Sequence, residues 1–517
     1  MCAPVRSQPR QHLLAGRNGS GTSVYCPIPA DCPQPVTDRL LLATLVFFLA
    51  AAILAAYGMQ LLALAAVGLR RPSTNSSAPA AAVWPRVTVQ LPVYDEPDVV
   101  GRLIDAACTL DYPRESLEVQ VLDDSPEGPA VSRAGSRVAH WRARGIDIKH
   151  IRRDDRRGYK AGALGHGLSP AAGDLLCVFD ADFVPEPGFL RRSVPVLAAD
   201  PAVGMVQARW THLNEESSLL TRVQAALLDV HFAIEQEGRE RAGLPLAFNG
   251  TAGVWRRACI EDAGGWQSDT LTEDLDLSYR AQLAGWRMRY LADLAAPGEL
   301  PPTATALSGQ QARWARGTAE TARKLGRRVL RSRLPLRHRA SAAMHLGSWL
   351  VHPSLVLVAL LHPAARLLGP VSDAAWGVAG VVGGIALVGV MLAHVVAARR
   401  AGASVSRRLL LLPAVLALPV GLAPGNTYAI IRSLAGERAE FHRTPKAASA
   451  FAAVGGLRWA EAAFGLLTLG GAAALAGAGL VGAAAFQVLF AAGGLWLAVH
   501  DAAIPGGGSR RPVPAVA

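Results

Sequence analysis

Two pairs of closely spaced carboxylates in this sequence suit chemistry on a phosphorylated substrate. Asp180 and Asp182 stand two residues apart, and carboxylate oxygens are the ligands that Mg²⁺ and Mn²⁺ prefer. A cation held there would neutralise a diphosphate leaving group. Glu273 and Asp274 are adjacent, and we expect Asp274 to be a general base for an attacking hydroxyl. Simpler interpretations exist, because an Asp-x-Asp can occupy a solvated turn and Thr272 can cap a helix.

Alternating strands and helices are predicted from residue 86 onwards, and they place carboxylates at strand ends. This alternation predicts an α/β domain with a mostly parallel, Rossmann-like sheet, in which ligands bind beyond the carboxyl ends of the strands. Asp123 and Asp124 follow the second predicted strand, and Asp180 follows the fourth. A long amphipathic helix is predicted over 217–241. The four predicted strands are 86–91, 117–122, 146–151 and 174–179.

Side chains that suit sugar binding lie close together further along the chain. Gln310 and Arg313 can hydrogen-bond hydroxyl or phosphate groups, and the Trp314 ring can stack on a pyranose. The alternative is that these residues begin a helix at a membrane surface. Lys160 is one of four lysines among 52 lysines and arginines. Its retention in an arginine-biased sequence favours a specific role over a chance surface position.

Apolar residues are concentrated at the two ends of the chain. Hydrophobic residues make up 51% of the sequence, and a run of about 20 apolar residues suffices to cross a membrane as a helix. We therefore predict a soluble domain held between membrane segments. The predicted divisions are a disordered tail over 1–38, a transmembrane helix over 39–69, the catalytic domain over 84–319, a basic interfacial helix over 320–340, a multi-helix membrane region over 341–500 with a cytoplasmic loop around 434–448, and a disordered tail over 501–517.

The net charge of +12 is explained by basic residues beside the apolar runs rather than by a nucleic-acid surface. Such placement follows the positive-inside rule and favours contact with anionic lipid headgroups. No aromatic-rich or helix-turn-helix signature accompanies the charge, so nucleic acid is excluded as a partner. We predict a multi-pass protein of the cell (plasma) membrane whose catalytic domain faces the cytoplasm.

Four motifs, in this order and spacing, resemble those of glycosyltransferase family 2. Within that family they look most like the processive synthases of cellulose, curdlan, hyaluronan and mannan, and the likeness runs from about residue 87 to residue 446. The resemblance implies a GT-A fold, a nucleotide-sugar donor, Mg²⁺ or Mn²⁺, and inversion by direct displacement. The motifs are Asp123-Asp124, Asp180-Ala181-Asp182, Thr272-Glu273-Asp274 and Gln310-Gln311-Ala312-Arg313-Trp314.

The resemblance also implies a role for each matching residue. The nucleotide-sugar would be bound through Asp95, Asp123, Asp124, Lys160 and Asp180. The metal would be bound by Asp182 with Asp180, and Asp274 would be the catalytic base. The acceptor would be bound through Glu273, Gln310, Arg313, Trp314, Gly250 and Thr251. For Gly250 and Thr251 the alternative is a turn before a strand.

Residues 441–446 resemble the gating loop that closes over the donor in cellulose synthases. The residues that carry this likeness are Phe441, Thr444 and Lys446. The segment departs from the family pattern, because Arg443 stands where a small apolar residue is usual and Pro445 is inserted. We therefore predict a gating role for this segment on the resemblance alone.

The leading hypothesis is an inverting hexosyltransferase that extends a β-linked polysaccharide, processively, from UDP-glucose or GDP-mannose. The main alternative is a non-processive enzyme that adds a sugar to a lipid acceptor, as glycosyl-diacylglycerol synthases do. A nucleotidyltransferase would share the acidic pairs but has no need of Gln310, Arg313 and Trp314. A receptor or scaffold without activity would not require intact carboxylates in every motif.

Overall fold

The structure, a computed structural model, describes residues 13–17, 23–27, 34–70, 84–437 and 458–501. Strand β1 (Leu13–Arg17) pairs antiparallel with β2 (Ser23–Pro27), and helix α1 runs from Gln34 to Arg70. The β1–β2 pair and the start of α1 at Gln34 depart from the disordered tail predicted over 1–38. The two strands were not predicted because five-residue strands are too short to show an apolar pattern. The predicted gating-loop residues Phe441, Thr444 and Lys446 lie outside the described residues.

A seven-stranded sheet forms the centre of the soluble domain. Its order is β5-β4-β3-β6-β8-β7-β9, and within it β8 alone runs antiparallel to its neighbours. The first four strands lie within two residues of their predicted ends. The strands are β3 (Val87–Val93), β4 (Leu117–Asp123), β5 (Asp147–Arg152), β6 (Leu175–Val178), β7 (Val203–His212), β8 (Gly253–Arg256) and β9 (Arg287–Gly298).

Helices cover the sheet, so β3 and β4 are buried even though they alternate apolar and polar residues; the buried polar side chains pair with one another, as Thr88 does with Glu118 and Gln90 with Gln120. All seven residues of β4 are buried. The helix predicted over 217–241 is present but is interrupted by a π-helical turn, His231–Gln236. The helices are α2 (Val100–Cys108), α3 (Pro129–Arg142), α4 (Tyr159–Leu168), α5 (Phe189–Ala199), α6 (Leu219–Val230), α7 (Glu237–Ala242), α8 (Arg257–Asp262), α9 (Glu273–Leu283), α10 (Ala304–Arg331) and α11 (Leu336–Leu346).

Six helices in the described part of the chain are long and apolar enough to cross a membrane. They include α1, and the helix Val405–Leu434 is continuous although it contains Pro413, Pro419 and Pro424. Prolines are tolerated in membrane helices where neighbouring groups satisfy the freed backbone. The other five are α12 (Val351–Leu368), α13 (Asp373–Arg400), α14 (Val405–Leu434), α15 (Trp459–Gly477) and α16 (Val481–His500).

Helix α10 crosses the boundary that was predicted at residue 320. It is one helix of 28 residues, so the sugar-binding motif and the basic segment belong to the same element. Its first turn is capped by Asp501, whose carboxylate accepts hydrogen bonds from the backbone N–H of Ala304 (2.7 Å) and Thr305 (2.8 Å). Asp501 is buried, although residues 501–517 were predicted to be a disordered tail.

A close contact between α10 and the segment before α9 fixes two motifs relative to each other. Gly317 faces Thr272, and a Cβ at position 317 would lie 2.5 Å from Thr272 Cγ2. The Thr272 and Thr321 hydroxyls lie 3.1 Å apart, and the Leu271 N–H donates to Glu320 at 2.9 Å. The glycine therefore allows α10 to pack directly against the Thr272-Glu273-Asp274 motif.

We predict that Gly317→Ala destabilises the protein and reduces its activity. The added methyl group overpacks the contact with Thr272, at a cost of about 1–3 kcal/mol in the free energy of unfolding. Gly326→Ala on the same helix is the control, because a Cβ there meets no atom within 4 Å and alanine is the better helix former. Thermal unfolding in detergent would measure both, and equal stability of the two variants would contradict the prediction.

Candidate active site

A cleft opens at the carboxyl ends of the parallel strands and gathers most of the predicted site residues. Because β3, β4 and β6 run parallel, the segments that follow them meet at one edge of the sheet. Helices α9 and α10 bring the later motifs to the same place. The predicted residues in its lining are Asp124, Lys160, Asp180, Asp182, Gly250, Glu273, Asp274, Gln310, Arg313 and Trp314.

The ammonium group of Lys160 lies at the centre of the cleft's charged residues. Its Nζ is 2.5 Å from Asp180 Oδ1 and 3.9 Å from Glu273 Oε1, and it donates to the Gly250 carbonyl oxygen at 2.9 Å. Burial alone would lower the pKa of Lys160, but the two carboxylates raise it above its usual value. Lys160 therefore stays charged and joins three segments that are distant in the sequence.

Asp274 is a half-buried residue in the first turn of α9. One oxygen accepts a hydrogen bond from the Leu275 N–H at 2.8 Å. The other faces Gly250, where a Cβ would lie 3.0 Å from Asp274 Oδ2. Burial and the adjacent Glu273 raise the pKa of Asp274 to about 7, although Lys160 acts in the opposite direction. A carboxyl group with this pKa suits a general base near neutral pH.

Asp180 and Asp182 follow β6 and face the cleft, as predicted. In the part of the chain that the structure describes, no three His, Cys, Asp or Glu side chains group together as a metal site. Mg²⁺ is commonly held by one or two carboxylates together with substrate phosphates rather than by a full protein cage. The donor set therefore fits a cation that is shared with a bound diphosphate.

The predicted sugar-binding motif lies inside α10, one turn or more beyond the start of the helix. Gln310, Arg313 and Trp314 are spaced three and four residues apart, so they share one face of the helix. Burial lowers the pKa of Arg313 to about 10, while Glu273 and Asp180 oppose that change. Arg313 therefore remains a cation at neutral pH.

Three predicted site residues lie outside the cleft lining. Asp95 is exposed, with φ of 51°, and does not line the cleft. Asp123 is buried against His150 Nε2 (2.9 Å) and the Ser125 N–H (2.9 Å); these bonds lower its pKa despite burial. Thr251 is buried, and its Oγ1 accepts from the Asp180 N–H at 2.9 Å. Asp123 and Thr251 support cleft residues from behind.

The end of the cleft beside Asp124 is lined by residues that are not among the predicted binding groups. Tyr94, Glu96 and Arg156 line it beside Asp124. The Arg156 guanidinium lies 3.3 Å from the centre of the Tyr94 ring, and Arg153 Nε donates to Asp124 Oδ1 at 2.8 Å. Tyr94 and Glu96 flank Asp95, so two neighbours of the predicted residue line the cleft in its place.

The far wall of the cleft was also not predicted. Trp210 and His212, at the end of β7, and Asn249, beside Gly250, line it. Trp210 and His212 could have been predicted from strand β7, because a parallel strand ends at the same edge of the sheet as β6. Asn249 precedes the predicted acceptor residues Gly250 and Thr251 directly in the sequence.

Comparison with known proteins identifies the domain. Residues 85–317 match the family described as "Glycosyltransferase like family 2". The chain is 45% identical to a probable glucomannan 4-beta-mannosyltransferase 7 of Oryza sativa subsp. japonica. The aligned 250 residues cover 48% of this chain and 43% of that protein. It is 44% identical to glucomannan 4-beta-mannosyltransferase 2 of Arabidopsis thaliana. The aligned 253 residues cover 48% of this chain and 47% of that protein.

A solved structure shares the fold. The mannosyltransferase PcManGT of Pyrobaculum calidifontis, in complex with GDP-Man and Mn²⁺, has a TM-score of 0.50 at 23% identity, covering 69% of this chain and 97% of that one. The chain therefore carries a glycosyltransferase family 2 domain with the GT-A fold. The predicted family and fold class are confirmed. The matched segments span about half the length of the curated relatives.

We predict that the rate of the reaction rises with pH through about 7. Asp274 acts as a base only when ionised, so kcat/KM should fall about tenfold per pH unit below its pKa. Glu273→Gln removes the negative charge that raises this pKa, so the acidic limb of the profile should move to lower pH. Asp98→Asn, at an exposed carboxylate outside the lining, should leave the profile in place. If the acidic limb of the profile stays in place in Glu273→Gln, the assignment of Asp274 as the base is contradicted.

Proposed function

We propose that this protein is an inverting hexosyltransferase that moves a sugar from a nucleotide-diphospho-sugar to a growing β-linked polysaccharide. The observation that carries the proposal is the meeting of Asp274, the Lys160–Asp180 pair and the Gln310–Trp314 face of α10 in one cleft. Asp274 supplies a catalytic base, and the Lys160–Asp180 pair supplies a charged group for the donor side. The Gln310–Trp314 face of α10 supplies a surface for a sugar acceptor.

The reaction is a direct displacement at the anomeric carbon. Asp274 takes the proton from the acceptor hydroxyl, whose oxygen forms a bond to the anomeric carbon from the face opposite the diphosphate. The bond from that carbon to the diphosphate oxygen breaks at the same time. The configuration therefore inverts, from the α-linked donor to a β-linked product. Lys160 and Arg313 lie where they can offset charge that gathers on the leaving group.

GDP-mannose is the donor we favour, with UDP-glucose as the second. Two glucomannan 4-beta-mannosyltransferases share more than 40% identity with this domain, and the structural neighbour was solved with GDP-Man. The nucleobase of the donor would lie at the end of the cleft that contains Tyr94, Glu96, Asp124 and Arg156. The acceptor would be a β-linked mannan or glucomannan chain, extended processively.

A divalent cation, Mg²⁺ or Mn²⁺, would be held by Asp182 with Asp180. When bound, it would neutralise the diphosphate and thereby stabilise the leaving group. Lys160 pairs with Asp180, and Asp182 lines the same cleft, so both carboxylates lie on the side where the diphosphate would bind. The structural neighbour contains Mn²⁺, which supports this assignment.

The six apolar helices indicate a membrane protein. We place it in the plasma membrane with the catalytic domain in the cytoplasm, where nucleotide-sugars are available. Arginines at the ends of the apolar helices, such as Arg399 and Arg400, support that orientation by the positive-inside rule. The polymer would then be made beside the membrane helices.

The decisive experiment is nucleotide release by detergent-purified protein with Mg²⁺ or Mn²⁺ across GDP-mannose, UDP-glucose and UDP-GlcNAc, with sizing of the product. We expect GDP release and a long, β-mannanase-sensitive polymer. Asp274→Asn should reduce transfer by about 10²–10⁴-fold, the usual contribution of a general base, with donor affinity preserved because the side-chain volume is unchanged.

Other results would change the proposal in defined ways. A lipid carrying one or two sugars would replace the polysaccharide by a glycolipid. Release of diphosphate from a nucleoside triphosphate would indicate a nucleotidyltransferase. Near-normal turnover by Asp274→Asn would remove Asp274 from the role of base.

We further predict that Asp182→Asn weakens donor binding only when the metal is present. The amide is a poorer ligand for a hard cation than a carboxylate, so metal-dependent affinity should fall about tenfold or more. Calorimetric titration with GDP-mannose, with and without Mn²⁺, would measure this, and Asp98→Asn is the control. Equal dependence on Mn²⁺ in the variant and the wild type would exclude Asp182 from the metal site.

A further inference from the structure

A π-helical turn lies directly behind the acceptor side of the cleft. Residues His231–Gln236 form it between α6 and α7, and π turns within α-helices often mark functional sites because they redirect side chains. Here the turn directs His231 and Gln236 toward the cleft-lining residue Asn249. Neither residue belongs to a motif that the sequence pointed out.

Four side chains form a hydrogen-bond chain that holds the Asn249 amide in one orientation. Glu235 accepts from His231 Nδ1 at 2.8 Å, so His231 Nε2 is an acceptor, and it lies 2.8 Å from Asn249 Nδ2. Gln236 Nε2 donates to Asn249 Oδ1 at 2.8 Å. Both ends of the Asn249 amide are therefore specified, because each partner fits only one of them.

The same turn fixes the backbone of the loop that carries Gly250. Gln236 Nε2 also donates to the Ala247 carbonyl oxygen at 2.8 Å, and the Asn249 N–H donates to Gln207 Oε1 at 3.0 Å. One residue further on, the Gly250 carbonyl oxygen accepts from Lys160. The loop is thus held from the π turn on one side and from the charged centre of the cleft on the other.

Membrane helices hold the turn from behind. Arg400, the last residue of α13, donates to the carbonyl oxygens of Ala233 and Gly68, each at 2.6 Å. Ala233 lies within the π turn and Gly68 near the end of α1. Arg400 also pairs with Glu237 at 2.7 Å, and Arg241 donates to the Gly68 carbonyl oxygen at 2.6 Å. The turn is therefore fastened to two membrane helices as well as to the loop.

We propose that this π turn positions the acceptor loop, residues 248–251, and that His231 and Gln236 are positioning residues for the acceptor sugar. The inference rests on the proposed function, since it assigns the cleft side of this loop to the acceptor. Through the turn, the Asn249 amide is oriented for sugar hydroxyls and is held in register with α1 and α13. The donor side, built on Lys160 and the strand ends, does not depend on His231.

The test compares His231→Phe with His231→Gln in full-length, detergent-purified protein. Phenylalanine keeps the ring and its contact with Phe232 but removes the acceptor for Asn249, whereas glutamine retains an oxygen that can accept. We expect His231→Phe to raise KM for a β-1,4-linked manno-oligosaccharide about tenfold. Hydrolysis of GDP-mannose without acceptor, and KM for the donor, should change less than twofold, and glutamine should restore most of the loss.

A double substitution isolates the path through Asn249. If His231 acts through that amide, His231→Phe should have no further effect on acceptor KM once Asn249→Ala is present. His140→Phe, the same change on helix α3 and outside the cleft lining, controls for the loss of a histidine and should behave as wild type.

Four outcomes would overturn the inference. Unchanged acceptor KM in His231→Phe would remove the residue from acceptor positioning. If KM for the donor and KM for the acceptor rise equally in His231→Phe, and His231→Gln does not restore them, His231 has a purely structural role. Wild-type protein that hydrolyses no nucleotide-sugar would refute the proposed function and this inference with it, whereas hydrolysis without transfer to any oligosaccharide would refute the assignment of this wall to a glycan acceptor.

Discussion

The ammonium group of Lys160 is the interaction on which the geometry of the cleft depends. Asp180, Glu273 and Asp274 approach one another in a largely buried space, where like charges disfavour ionisation and an unpaired charge is costly. Lys160 offsets this repulsion and binds the Gly250 carbonyl oxygen as well. A single cation therefore joins the end of β6, the start of α9 and the loop before β8.

Two elements extend this organisation toward the membrane region. Helix α10 packs on the Thr272-Glu273-Asp274 motif through Gly317 and carries Gln310, Arg313 and Trp314 on one face. The π turn supports the opposite wall and contacts α1 and α13 through Arg400. Each wall of the proposed acceptor side is thus connected to helices that are apolar enough to cross a membrane. The proposed donor side depends instead on the strand ends of the sheet.

Much of this arrangement could be predicted from the sequence, and the failures have physical causes. Strands β3, β4 and β6 are rich in Val and Leu, so they can be predicted, while β8 contains a glycine and an arginine among its four residues and gives no comparable pattern. Asp123 and Asp124 were treated alike, yet neighbouring residues at the end of a strand point to opposite sides, and only Asp124 lines the cleft. Asp95 was chosen over Tyr94 and Glu96 because a positive φ cannot be read from residue types. The π turn leaves no signature in an amphipathic pattern.

The cap on α10 means that the enzyme cannot be divided at the surface of the membrane. At about 1.5 Å per residue, the 28 residues of α10 extend about 42 Å, and the carboxylate that satisfies its first N–H groups comes from Asp501, just after the last membrane helix. A truncated domain ending near residue 319 would break this helix and lose its cap. Exchange of catalytic domains between related synthases would therefore require that α10 and the residues after α16 be transferred together.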